Sequence, residues 1–397
     1  MLAASCVLAI IAISPVHAQT LTVLHAFTGE SDGANPDTGL SMDAAGNLYG
    51  TTYLGGANGF GNIFKLKRAG ENWLMTPLYN FTGQNDGAEP ITTLTIAPDG
   101  TLYSASGGGQ GIGACCGAVF HLQPSPNTPR SALTPWDITL LHHFIGTDGK
   151  LPSGSLYFDQ SGNIFAATLE GGTNNNGVIY ELSPSGGGYT QTILFNAPSS
   201  GNQTDPWGDL TPDGSGNLFG VFEGAEPPGA VFELSPSGSG WTLNVIYPFT
   251  GGSDGNGPMG GLIRDQQGNL YGTTWMGGDG GGGTVFELSP SNGGWTFTLL
   301  YSFPAPAGPT HKLLFDAAGN LYGTTQSGGT WGYGMIYKLM RPGNGGPWSY
   351  STLYNFTGGN DGGLPFCGLI FDADGNLYGT TNGGGAHGFG VAFELTP

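Results

Sequence analysis

Seven copies of one short block, four strand-like runs in each copy, and a chain that starts and stops out of phase with its own repeat predict an all-β fold, a seven-bladed β-propeller. The block is clearest at Asp372 to Thr381, which reads D-A-D-G-N-L-Y-G-T-T. Aligned on its glycine it recurs at Gly46, Gly100, Gly162, Gly216, Gly268, Gly319 and Gly375, with spacings of 54, 62, 54, 52, 51 and 56. The copies fill residues 19–397 and leave no room for a second domain.

Each copy carries four runs. Strand a precedes the turn, as in Gly261 to Asp265, and strand b follows it, as in Leu270 to Thr274. A Gly-rich loop leads to strand c, Thr284 to Leu288, and a Ser-Pro-Ser-Asn-Gly-Gly turn leads to strand d, Trp295 to Phe303. The runs are short, rich in aromatic and β-branched residues, and bounded by Gly, Pro, Asn and Asp. No window has a useful helical period. Leu21 to Phe27 is a d-type run that precedes any strand a, and Gly390 to Thr396 is a c-type run with no d after it. The first strand is therefore expected to complete the last blade, which removes two exposed sheet edges. Blade 2 is lengthened by Pro124 to Pro135, and blade 6 has Pro304 to His311 where the other blades have an Asp-Gly loop.

Composition narrows the partners. Of 397 residues 76 are Gly and only 9% are charged, yet the net charge is -19, from 28 acidic and 9 basic side chains. Such a surface repels phosphate backbones and excludes nucleic acid as the expected partner. Residues 1–18 read as a secretory signal: Cys6 to Ile13 is a short apolar run, and Val16-His17-Ala18 resembles a cleavage site. No Lys or Arg precedes that run, so the start is expected upstream of Met1. No later stretch has the length of a membrane span. The expectation is an exported monomer, extracellular or periplasmic. Cys115, Cys116 and Cys367 remain after Cys6 leaves, and one ordinary disulfide or none is expected, with a vicinal Cys115–Cys116 bond as the strained alternative.

Three blocks recur in order: D-x-x-G-N-L-Y-G-T-T, then G-G-x-x-G-x-G-x-[VI]-F-[EK]-L, then W-x-x-x-x-L-Y-x-F-x-G-x-x-D-G-x-x-P. Over residues 20–397 this resembles the GloVer tandem repeat of secreted bacterial proteins. The resemblance implies fold and export, and it carries no established activity. No sorting or anchor segment appears before Pro397, so surface attachment through the C-terminus is not expected.

Up-and-down strands place the d–a and b–c loops on one face, where a rigid scaffold presents binding residues. The d–a loops carry Asp32, Asp86, Asp148, Asp254 and Asp361, each followed by Gly. A ring of carboxylates suits Ca²⁺ or a polyhydroxylated ligand; the competing reading is that each Asp bonds its own turn. Residues that break the repeat are the stronger ligand candidates, because the blade does not demand them. They include Tyr53, Glu170, Glu223, Trp275, Met276, Trp331, Tyr333 and His387 on the b–c side, and Trp207, His311 and Lys312 on the d–a side. Packing between blades competes with recognition for each aromatic. The sequence thus points to a non-catalytic binding or scaffold propeller for an extracellular glycan, peptide or protein. The alternative is a polysaccharide lyase or glycosidase, which needs paired carboxylates at catalytic separation.

Overall fold

The computed structural model describes residues 19–84, 86–108, 114–126, 135–224, 228–238, 240–343 and 345–396. The leader expected over 1–18 and the middle of the blade 2 insert, 127–134, lie outside them. Seven antiparallel sheets stand around one axis. Blade 3 has strands Lys150–Phe158, Ile164–Glu170, Val178–Ser185 and Gly188–Asn196, from the axis outward. Blade 4 repeats this with Pro206–Pro212, Leu218–Phe222, Ala230–Ser237 and Gly240–Pro248. The ring closes as the sequence predicts: Thr20–Ala26 pairs with Val391–Thr396, from Thr20 opposite Thr396 to Ala26 opposite Val391.

The inner strand departs from the predicted continuous run. It shrinks to Ser41–Met42, Leu314–Phe315 and Ile370–Phe371 in blades 1, 6 and 7, and it breaks into Ala88–Pro90 with Thr95–Ile96 in blade 2 and Asn256–Pro258 with Ile263–Arg264 in blade 5. In blades 3 and 4 it persists with a shifted register. In blades 3, 4 and 5 the residues after the loop proline include a glycine at positive φ, Gly154 (70°), Gly208 (74°) and Gly261 (70°), which accompanies the register shift in blades 3 and 4 and the break in blade 5.

The repeated block is a turn written out in side chains. Asp372 Oδ1 accepts from the backbone N–H of Asp374 and Asn376, both at 2.9 Å; its Oδ2 accepts from Asn376 Nδ2 at 2.8 Å and Tyr378 OH at 3.0 Å. Asp43, Asp265 and Asp316 hold the same four donors. Partial burial pushes the Asp372 carboxyl up, but the donors from Asn376 and Tyr378 outweigh it and hold the group below its usual range. Its stabilising contribution is therefore present above the ordinary carboxylate pKa of about 4 and is lost as pH falls below that value. Asp372→Ala is expected to cost about 1–3 kcal/mol at pH 7. Urea denaturation checks it: the gap to the parent protein should narrow sharply at pH 3.

Blades dock through a second repeated pair. The glycine that opens strand c lies against the proline that opens the next blade: a Cβ on Gly390 would sit 2.8 Å from Pro36 Cδ, and one on Gly177 would sit 2.6 Å from Pro206 Cδ. Apolar contacts follow the same boundaries; Phe219 and Val221 of blade 4 pack with Leu262, Leu270 and Phe286 of blade 5. Thr380 Oγ1 donates to Thr38 O at 2.8 Å across the closure between blades 7 and 1.

The cysteines correct the expectation from sequence. Cys115 and Cys116 form a vicinal disulfide within the three-residue 3₁₀ turn Ala114–Cys116. Cys367 is a buried free thiol in blade 7, bonded to Thr380 O at 3.0 Å, and so is held apart from the other two. No helix among the described residues is long and apolar enough to cross a membrane.

Candidate functional site

The inner segments of all seven blades line an axial cavity of about 610 Å³. Each segment starts at a proline, and the third residue after that proline follows a rule with two exceptions. It is Gly39, Thr93, Ser155, Gly261 and Gly368 in five blades, and Asp209 and Lys312 in blades 4 and 6. The two exceptions meet. Lys312 Nζ donates to Asp209 Oδ2 at 3.0 Å. Blade 5 lies between them in the ring and leaves the space: a Cβ on Gly261 would be 2.8 Å from Asp209 N, and one on Gly260 would be 2.5 Å from the His311 backbone. Ser155 N–H also donates to Asp209, at 2.6 Å. Burial pushes the Asp209 carboxyl up, but Lys312 and the Ser155 N–H outweigh it and hold the group below its usual range.

Two further ionisable groups face the same space. His311 packs edge-on against Phe366, with ring centroids 4.9 Å apart, and its Nε2 is buried without a hydrogen-bond partner among the described residues. Burial depresses the imidazole to about 4 against the opposing pull of Asp209, so the ring is neutral at pH 7. Asp37 lines the cavity from blade 1. Burial pushes its carboxyl up to about 6, opposed by a hydrogen bond from Asn382 Nδ2.

Of the candidates from sequence, the structure brings Trp207, His311 and Lys312 into this cavity. All three stand on inner segments rather than on the outer loops. The others surround the mouth, where d–a and b–c loops pair directly, as at Ala34 with Leu54 and Gly363 with Gly383. Tyr53 OH donates to Glu89 Oε2 of blade 2 at 3.0 Å. Glu170 is paired with Lys150 at 2.5 Å. The carboxyl of Glu223 is raised by burial and by Asp205, and that of Asp205 by burial and by Glu170. His387 is exposed on the blade 7 loop. Trp275, Trp331 and Tyr333 are 36%, 61% and 46% exposed. Tyr333 lies over Gly358 as Phe60 lies over Gly83 and Phe389 over Gly29, so it occupies a repeated position.

Each d–a aspartate is engaged in its own blade. Asp86, Asp254 and Asp361 accept from a strand d tyrosine (Tyr79, Tyr247, Tyr354) at 2.8–3.0 Å and from a threonine backbone N–H. Asp32 and Asp148 bind His25 and His142 at 2.9 and 3.2 Å, so histidine fills the tyrosine slot there. Among the described residues no three His, Cys, Asp or Glu side chains come together in a group that could hold a metal ion. Asp37, Asp209 and Phe366 escape a reading of the loops. Comparing the copies over the inner segment between the loop proline and the turn glycine, rather than over the loops, exposes them.

Solved structures with similar folds are distant in sequence. The extracellular domain of BT4673 from B. thetaiotaomicron, assigned as a one-component system, superposes with a TM-score of 0.56 at 13% identity over 95% of this chain. This chain spans only 40% of that structure. Proteins assigned as 6-phosphogluconolactonases from Bacteroides uniformis and Bacteroides fragilis each give a TM-score of 0.54, at 15% and 14% identity. The alignments cover 87% and 89% of this chain, and 89% and 98% of theirs. These likenesses show the fold. No curated protein matches the chain. The Gloeobacter/Verrucomicrobia repeat matches residues 9–137, 128–263 and 221–397, three overlapping segments that run to the last residue, and with the seven-bladed architecture in place the chain belongs to that family.

Proposed function

We propose that the protein is an exported, non-catalytic binding propeller that takes the end of an extracellular glycan into the axial cavity from the face of the d–a and b–c loops. One observation carries this reading. In a ring of inner segments built largely from small residues, Trp207, Asp209, His311 and Lys312 project into one cavity of about 610 Å³, a size suited to a small ligand. Around the mouth, Trp275 and Trp331 offer exposed aromatic faces on which further sugar units would stack. The net charge of -19 favours neutral or cationic ligands over polyanions. Residues 1–18 supply the export signal in this reading.

A glycan-array screen of the protein, followed by calorimetry on the best hits, tests it. Trp207→Ala is expected to weaken binding by about tenfold or more, as for a central aromatic anchor. Trp331→Ala, on the rim, should weaken it only a few-fold. Unchanged affinity in Trp207→Ala would move the site out of the cavity. Failure to bind any glycan on the array would remove the function.

A further inference from the structure

The charges in the cavity do not balance. Asp209 is matched by Lys312, and His311 is neutral at pH 7. Asp37 is left over. None of the ion pairs among the described residues includes it. Among the described residues its one side-chain hydrogen bond comes from Asn382 Nδ2, on the b–c loop of blade 7. An ionised carboxylate accepts about four hydrogen bonds, so most of its capacity is unused among the described residues, at a position that lines the cavity. Burial already disfavours its charge, which a cationic ligand would relieve. Trp207 belongs to blade 4, on the far side of the ring from blade 1, and gives an aromatic wall for the sugar face of a ligand whose amine meets Asp37. The field of a chain carrying -19 concentrates cations at the mouth.

We infer that the cavity selects glycans bearing a free primary amine, with Asp37 receiving the ammonium group and Trp207 the sugar face. This rests on the glycan-binding reading and narrows it to amino sugars. The selected ligand donates N⁺–H···O⁻ bonds that a hydroxyl or an acetamide at the same carbon does not replace.

Three tetrasaccharides with the same β-1,4 backbone separate the two claims, because they differ only at C2: the glucosamine tetramer, its fully N-acetylated counterpart, and cellotetraose. Calorimetry at one ionic strength is expected to give at least tenfold tighter binding of the glucosamine tetramer than of the other two. Asp37→Asn keeps the size of the side chain and should abolish the preference, so that the variant binds the glucosamine tetramer no more tightly than it binds cellotetraose. A thermal melt confirms the fold; if this variant misfolds, Asp37→Ser gives the same readout. Equal binding of all three sugars by the parent protein overturns the amine preference and leaves the glycan reading standing. A preference that survives in Asp37→Asn overturns the role of Asp37. If none of the three binds while other glycans on the array do, the amine inference alone fails; if nothing binds, both fail.

Discussion

Deleting residues 20–27 is expected to leave no cooperatively folded monomer. The deletion takes the outer strand of blade 7 away from Val391–Thr396 and exposes that edge. It also removes Leu24 and Phe27, which are 8% and 0% exposed and pack with Leu40, Leu48 and Phe64 of blade 1. Burial of two such side chains contributes about 3–6 kcal/mol, a large part of the roughly 5–15 kcal/mol that holds a typical domain together. The bare edge is then free to pair with other copies. Size-exclusion chromatography should show aggregates or an expanded chain, and calorimetry no sharp transition. Leu24→Ala keeps the strand and loses only packing, so it should fold and lose about 2–5 kcal/mol. A deletion variant that melts sharply near the parent temperature would show that the seventh blade does not need its borrowed strand.

The architecture was legible because the repeat spells out what each blade needs. Asp372, Asn376 and Tyr378 satisfy one turn, and their counterparts satisfy the others. Gly390 against Pro36 docks one blade on the next. A residue found in nearly every copy does a job found in nearly every copy, and the d–a aspartates follow suit, each tied to its own strand d. The cavity was only partly legible. Trp207, His311 and Lys312 stand out because they break the pattern, but that they share one cavity follows only from the closed ring. Asp209 and Lys312 lie 103 residues apart, and only the closed ring makes them neighbours. Their segments keep one register with the turn glycine in every copy but share little beyond a proline and a leucine, so the repeat alone does not mark the position as one that faces the axis. Tyr333 stands out for the opposite reason: tyrosine replaces the phenylalanine of Phe60 and Phe389, which hides a repeated position.

A second large effect is expected at the Asp209–Lys312 pair. Lys312→Met removes the ammonium and leaves Asp209 with Ser155, whose N–H donates to it at 2.6 Å. Breaking a buried pair from one side costs about 3–5 kcal/mol. Here 39% of the Lys312 side chain and 19% of the Asp209 side chain are exposed, so solvent screens part of the loss and about 1–3 kcal/mol is expected at pH 7. The pH dependence gives the sharper test. In the parent protein Asp209 is held below the ordinary carboxylate range, so its contribution is present above a pH of about 4 and lost as pH falls below it. In Lys312→Met burial dominates and raises the group, so the folded state binds more protons than the unfolded one, and stability falls as pH rises from about 4. The two proteins should therefore be close in stability at pH 3 and far apart at pH 7. Asp209→Asn with Lys312→Met removes both charges and should recover most of the loss at pH 7. An equal deficit at both pH values would mean that Lys312 acts through its packing, not its charge. The same variants bear on the cavity: once Lys312 is gone, Asp209 joins Asp37 as a second unmatched carboxylate. The glucosamine tetramer should then bind more tightly to Lys312→Met than to the parent, and the gain should vanish in the double variant.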